Sequence, residues 1–260
     1  MSYNTAIEKI YKKSDTGSEL KLYINIPEDN KKDRPAMIFF HGAGFSNNKS
    51  NASQFQHHAE YFTSRGLVTI CAEYRPLDVE GLYSPIDSLY NAKSAIRWIR
   101  ENSELLGINT NKVIAAGASA GGYLSLCSAM IDHFNDPSDN IMISSKPNAT
   151  VIFNGGVDSN LLINLFPELS DDLRIASPIN HIRENLPPCI LFHGTKDVNI
   201  RLEEIINFSE INQLKGNLTR LVTFEGLGHG FFNYGVHENK PYIQTIQETE
   251  TFLKEINMWG

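Results

Sequence analysis

The chain has 260 residues, 41% of them apolar and 20% charged, with a formal net charge of −7. This is globular composition, and the acidic balance without any basic run counts against an electrostatic nucleic-acid footprint. No apolar run approaches the length of a membrane span, and three cysteines without C-x-x-C spacing give neither a disulfide framework nor a zinc motif.

The length suits one domain over 1–260. Residues 1–13 lack the apolar segment of a secretory signal, so a soluble, cytoplasmic protein is the expectation. Residues 3–12 and 19–27 read as two opening strands around a turn at Asp15-Thr16-Gly17. Six apolar runs of strand length follow, at 35–40, 67–72, 112–116, 149–153, 188–192 and 220–224. Continuous runs of this kind mark parallel strands buried on both faces.

Helical periodicity lies between the runs. Ala92, Ala95, Ile96 and Ile99 fall at i, i+3, i+4 and i+7, which predicts a helix near 86–106. Leu124, Cys127 and Ile131 repeat the pattern after Ser119. Leu202, Ile205 and Ile206 begin another helix, and Ile243, Ile246, Leu253 and Ile256 give the last. Two strands followed by strand–helix units predict an α/β fold: a mostly parallel, doubly wound sheet of about eight strands with helices on both faces. Residues 154–187 break the pattern with Pro167, Pro178 and Pro187. They read as an excursion over the carboxyl edge of the sheet, either a small lid or a proline-rich surface loop.

Gly117-Ala118-Ser119-Ala120-Gly121 is G-x-S-x-G. The pentapeptide alone is a weak signal, since glycine-rich strand-to-helix turns also bind phosphate. Here it leaves the strand 112–116 and opens a helix, the setting that exposes a nucleophilic serine on a sharp turn. His41-Gly42-Ala43-Gly44-Phe45 follows the strand 35–40. A small-residue loop there can aim the N–H groups of Ala43 and Gly44, with that of Ala120, at the oxyanion of an acyl-transfer intermediate. His41 is expected to pin this loop rather than act as a base, and Phe45 either lines an acyl pocket or simply packs.

Asp197 follows the strand 188–192 in His193-Gly194-Thr195-Lys196-Asp197, and His229 follows the strand 220–224 in Gly228-His229-Gly230. The chain order Ser119, Asp197, His229 suits a serine hydrolase on this topology. His229 would take the proton of Ser119, and Asp197 would fix the tautomer and stabilise the imidazolium. A lone aspartate after a strand caps turns, and a lone histidine is commonly a satisfied surface or core residue. Four motifs, each just past a strand and in the right order, favour the catalytic reading. Asp158 is a rival acid. His57, His58 and His237 lack a strand-end setting and are expected on the surface, and His181 in the excursion is expected to be structural. No group has metal-ligand spacing, and no cofactor is called for.

Together these segments resemble the hormone-sensitive-lipase-like and carbohydrate-esterase-like group of α/β-hydrolase esterases. Further matching segments are Glu73-Tyr74-Arg75, Asp87 with the helix 92–98, Ser177-Pro178-Ile179, Leu186-Pro187-Pro188 and Glu225-Gly226-Leu227-Gly228-His229-Gly230-Phe231-Phe232. The resemblance implies a serine esterase acting on a small-molecule or carbohydrate ester, with Phe45 and Phe231 at the substrate. The sequence departs from it twice. Ala43 replaces the second glycine of H-G-G-G, which keeps the donor provided φ stays negative. The helical N-terminal cap of the lipase-like enzymes has no counterpart, which implies a minimal lid, an open site and short, acetyl-type acyl groups. Two other functions share the pattern: an amide-cleaving relative such as a formamidase or small peptidase, and a binding protein on a hydrolase scaffold. Oligomeric state is not readable.

Overall fold

Six hydrophobic runs able to bury both faces need a layer of helices on each side. In the computed structural model, which describes residues 6–13, 17–29, 31–46, 50–75 and 81–260, they receive both. The strands are β1 (Ile7–Lys13), β2 (Glu19–Asn25), β3 (Arg34–Phe40), β4 (Val68–Ala72), β5 (Ile108–Ala118), β6 (Ala149–Phe153), β7 (Cys189–Gly194) and β8 (Thr219–Phe224). They form one eight-stranded sheet in the order β1-β2-β4-β3-β5-β6-β7-β8. β1 and β2 are antiparallel, β2 is antiparallel to β4, and every other pair is parallel. β4, β6 and β7 are buried along their whole length, whereas β2 buries alternate residues, as a strand covered on one face should. Asp15 and Thr16 of the expected first turn, and residues 3–5 of the expected first strand, lie outside the described residues.

One face is covered by α2 (Pro85–Glu101), α4 (Ala120–Met130) and α7 (Leu202–Leu214), whose Leu89, Ile96, Leu124, Cys127, Ile205 and Phe208 join one hydrophobic cluster. The other face is covered by α1 (Gln56–Ser64) and α8 (Lys240–Glu255) over an aromatic cluster that includes Phe39, Phe55, Phe62, Phe153, Phe192 and Phe252. The helix expected over 86–106 breaks at Asn102 into α2 and a single turn, α3 (Ser103–Leu106), which stops at the left-handed Gly107. Within 154–187 the chain forms α5 (Asn160–Leu165) and α6 (Ser170–Ile175), both too short to show a period. Among the described residues no helix is long and apolar enough to cross a membrane, and no cluster of His, Cys, Asp and Glu could hold a metal. The three cysteines are free and buried.

Two expectations fail on the aromatic face. Ile243 is 44% exposed. α8 instead buries Tyr242, Thr245, Ile246, Thr249, Phe252 and Leu253, its threonine hydroxyls donating to the carbonyls of Tyr242 and Thr245. His58, expected in solvent, is fully buried among the rings of Phe39, Phe55, Phe153, Phe232 and Tyr242. α1 carries few apolar residues, so this histidine completes its buried face in a way that hydrophobic periodicity does not register.

Neither ring nitrogen of His58 has a hydrogen-bond partner among the described residues. Burial, helped by the neighbouring His57, lowers its pKa to about 3. Between about pH 6.5 and pH 3 the unfolded chain therefore binds a proton that the folded chain refuses. Stability falls as pH drops through that window, by up to about 1.4 kcal/mol per pH unit for this group. His58→Leu removes two unsatisfied polar atoms. It is expected to stabilise the fold by about 1–3 kcal/mol at pH 7 and to flatten the loss of stability from pH 6 to pH 4, measured by urea denaturation at each pH.

Candidate active site

The carboxyl ends of β3, β5, β6, β7 and β8 converge on one cleft of about 590 Å³. Its nucleophile candidate is set by backbone packing. α4 starts so close to the ends of β3 and β5 that a Cβ on Gly121 would fall 2.0 Å from the Phe40 carbonyl oxygen, and one on Gly117 2.3 Å from that of Gly121. Between these glycines Ser119 takes φ 51, ψ −115, a conformation that costs a non-glycine residue about 1–3 kcal/mol. Its N–H donates to the Phe153 carbonyl at 3.0 Å and its carbonyl accepts from the Tyr123 N–H at 2.9 Å, so both neighbouring peptides are fixed while the side chain faces the cleft.

The loop after β3 is held one peptide plane at a time. The carbonyl of one residue and the N–H of the next share a rigid plane and point in opposite directions. Fixing the carbonyl therefore aims the N–H. His41 Nδ1 donates to the Gly42 carbonyl at 2.5 Å, which sets the direction of the Ala43 N–H. Ser46 donates to the Ala43 carbonyl through its N–H at 3.2 Å and its hydroxyl at 2.9 Å, which sets the Gly44 N–H. His41 is fully buried, stacks on Tyr74 at 4.5 Å and has its pKa lowered to about 3, chiefly by burial. It is thus a neutral pin, as the sequence suggests. The proviso of a negative φ at Ala43 is not met, since φ is 158, but the direction of its N–H belongs to the Gly42–Ala43 plane that His41 holds, not to the sign of φ. The planes on its two sides are set by His41 and Ser46, and joining them stretches Ala43 to the border of the extended region before Gly44 turns left-handed at φ 61. Ala43, Gly44 and Ala120 all line the cleft.

On the opposite side, His229 Nδ1 lies 2.7 Å from Asp197 Oδ2. The Asp197 side chain is fully buried, and its Oδ1 accepts the N–H groups of Asn199 at 2.9 Å and Ile200 at 3.2 Å. Burial alone would raise the carboxyl pKa. The bond and charge of His229, with the two backbone N–H groups, outweigh it and hold the group below the ordinary carboxylate range. An ionised Asp197 keeps the imidazole proton on Nδ1 and leaves the Nε2 lone pair as acceptor. Among the described residues Ser119 Oγ makes no hydrogen bond to His229.

The rival acid, Asp158, lines the cleft, but its Oδ1 accepts the Asn160 N–H at 2.9 Å. His57 and His237 are exposed as expected, and His181 Nε2 is held at 2.6 Å by the Ile175 carbonyl. Phe45 lines the cleft, edge-on to Tyr123 at 5.9 Å. Phe231 is not among the lining residues and packs on Phe224 at 4.5 Å; its neighbour Phe232 touches the cleft, but its ring is equally buried, on Phe153 at 4.9 Å and Phe55 at 5.8 Å.

Asn154, one residue past β6, escaped the sequence reading. Its Nδ2 lies 3.0 Å from Nδ1 and 2.9 Å from Nε2 of His229. An atom nearly equidistant from both nitrogens cannot lie in the ring plane, where it would overlap Cε1. The amide therefore covers the face of the imidazole and leaves the in-plane Nε2 lone pair open. Gln54 and Asn233 also line the cleft without any motif to announce them.

Residues 22–166 match the BD-FAE family model. Thermogutta terrifontis esterase 2, phosphoramylated by tabun, is 38% identical with a TM-score of 0.93, covering 100% of this chain and 98% of that one. The same esterase bound to propionate gives 38% and 0.92, and bound to butyrate 37% and 0.92, each covering 100% of this chain and 97% of that one. Esterase LipC of Mycobacterium tuberculosis is 25% identical over 225 residues, 77% of this chain and 54% of its own length. Probable isoprenylcysteine alpha-carbonyl methylesterase ICMEL1 of Arabidopsis thaliana is 24% identical over 194 residues, 65% of this chain and 40% of its own. The chain thus spans about half the length of these curated relatives. It belongs to the BD-FAE family, and its fold is that of the α/β-hydrolase serine esterases.

The two acidic candidates separate by substitution. Asp197→Asn, which loses the charge beside His229 and can reverse the tautomer, is expected to lower kcat on an ester by a factor on the order of 10⁴. Asp158→Asn is expected to cost less than about tenfold, with both read as initial rates on the same substrate.

Proposed function

We propose that this member of the BD-FAE family is a serine carboxylesterase that cleaves short-chain, acetyl-type esters, with Ser119 as nucleophile, His229 as base and Asp197 as the acid that orients it. The observation that carries the reading is the 2.7 Å bond from a buried carboxylate to His229 Nδ1, in a cleft that also holds Ser119 on its strained turn. Ser119 Oγ attacks the ester carbonyl carbon while its proton passes to His229 Nε2. The negative oxygen of the tetrahedral intermediate is met by the N–H groups of Ala43, Gly44 and Ala120. Collapse breaks the bond to the alcohol, which leaves with the proton returned from Nε2. Water then repeats the sequence on the acyl-serine, releasing the acid and restoring the hydroxyl.

The short-chain preference is supported by the apolar residues that share the cleft lining with Ser119, among them Phe45, Tyr123, Val157 and Leu162. Propionate and butyrate bound to the Thermogutta esterase agree with acyl groups of this size. A sugar alcohol is supported by the polar side chains in the same lining, Ser50 and Asn199 among them, which can partner hydroxyl groups. In this reading 1–260 acts as one unit, and 154–187 is a small lid that supplies Val157 and Leu162.

Hydrolysis of p-nitrophenyl acetate, butyrate and octanoate tests the proposal. Acetate and butyrate are expected to turn over faster than octanoate, and Ser119→Ala to lower kcat by a factor on the order of 10⁶. Paraoxon is expected to phosphorylate Ser119 stoichiometrically, as read by intact mass. An active Ser119→Ala variant would remove the serine mechanism, and a preference for octanoate would remove the short-chain assignment.

A further inference from the structure

The loop after β3 and the loop that bears His229 come from separate strands, and a pair of amide side chains, Gln54 and Asn233, joins them. Gln54 sits in the 3-10 turn Ala52–Phe55 that leads into α1, half-buried at the cleft wall. Its Oε1 accepts the Gly42 N–H at 2.7 Å. Its Nε2 donates to Asn233 Oδ1 at 3.1 Å, and Asn233 Nδ2 donates to the Gly230 carbonyl at 3.0 Å. An unbroken chain of three hydrogen bonds therefore runs from the residue before the oxyanion donors to the residue after the base.

We propose that Gln54 is a positioning residue that straps the oxyanion loop to the base loop through Asn233, so that the donors and His229 keep one spacing across the scissile bond. The inference rests on the serine esterase reading above. The Gly42 N–H is taken by Gln54, and the peptide plane it shares with the His41 carbonyl is held at both ends, since that carbonyl accepts the Tyr74 hydroxyl at 3.1 Å. With the Gly42 carbonyl held by His41 and the Ala43 carbonyl by Ser46, three successive planes are set. His41 and Ser46 act within the loop. Among the described residues Gln54, through Asn233, ties it to the loop that bears His229, where a small drift of either loop would misplace the oxyanion against the proton acceptor, an error to which rates are steeply sensitive. The amide suits the task because one side chain both accepts and donates.

The test compares wild type with Gln54→Met, Asn233→Ala and the double variant. Methionine keeps the length and packing of glutamine without its hydrogen bonds. Each variant is assayed for kcat and KM on p-nitrophenyl acetate, for the second-order rate of phosphorylation by paraoxon, whose phosphoryl oxygen needs the same donors, and for Tm. Each single variant is expected to lower kcat about five- to thirtyfold, with KM within about threefold of wild type, and to slow phosphorylation by a similar factor. The double variant is expected to be no worse than about twice the weaker single, because both changes cut one strap. Asn233→Ala leaves the Gln54–Gly42 bond in place, so it decides the matter even where Gln54→Met lowers Tm. Unchanged kcat in Gln54→Met, a rise in KM with kcat intact, or effects that multiply in the double variant would each overturn the strap. Loss of the serine reading shows separately, as retained activity in Ser119→Ala.

Discussion

The site depends on a backbone approach that no side chain can enter. The first turn of α4 lies against the ends of β3 and β5, with the Gly121 position 2.0 Å, measured to an added Cβ, from the Phe40 carbonyl oxygen. That closeness makes the turn at Ser119 sharp and its φ positive, and it brings the N–H of Ala120 beside the loop that leaves β3. The same device recurs where β7 meets the loop before His229: a Cβ on Gly194 would stand 2.3 Å from the Leu227 carbonyl oxygen. The Leu227 carbonyl accepts the Lys196 N–H at 2.9 Å, locking the stretch that carries Asp197 to the stretch that carries His229. Parallel strands deliver the loops to one edge, and glycines set how near they come.

In the proposed mechanism the oxyanion would be met by peptide planes rather than by side-chain charge. His41, Ser46 and Gln54 each hold a carbonyl or N–H group of the loop after β3. Such groups need no reorganisation when charge develops on a substrate oxygen, which is why preorganised donors stabilise a transition state more than mobile ones do. The strain at Ser119 is tolerated because the sheet and α4 hold the turn on both sides, through the Phe153 carbonyl and the Tyr123 N–H.

The parts of the structure legible in the sequence were those governed by a period or by a strand end. β3, β4, β6 and β7 announce themselves as apolar runs because they are buried almost throughout, and edge strand β8 still reads as one though partly exposed; the candidates Ser119, Asp197 and His229 stand out because each follows such a run. α1 was missed because His58 fills its buried face, and periodicity counts a histidine as polar. The φ of Ala43 could not be read from its residue type, because its conformation is set by His41 and Ser46 acting on its neighbours. Gln54, Asn154 and Asn233 have no local signal: their partners lie 12, 75 and 179 positions away along the chain, and only the folded sheet brings them together.

The histidines show how the fold narrows the choice of base. His41 and His58 are fully enclosed and held neutral by burial, each with its pKa lowered to about 3. His193 is also lowered, by burial first, and its Nε2 is held by the Ile200 carbonyl at 3.0 Å. It stands 3.7 Å from Asp197 Oδ2, but its side chain is only 1% exposed, so substrate cannot reach it. His57, His133 and His237 are exposed and His181 is spent on a carbonyl. A base must accept a proton from one side while a buried anion balances it from the other, and it must be open to the reacting atoms. His229 has the geometry the proposed base would need, one quarter exposed and lining the cleft with the enclosed Asp197 carboxylate behind it. Burial thus acts twice, disabling the other enclosed histidines and concentrating the field of Asp197 on the one that remains accessible.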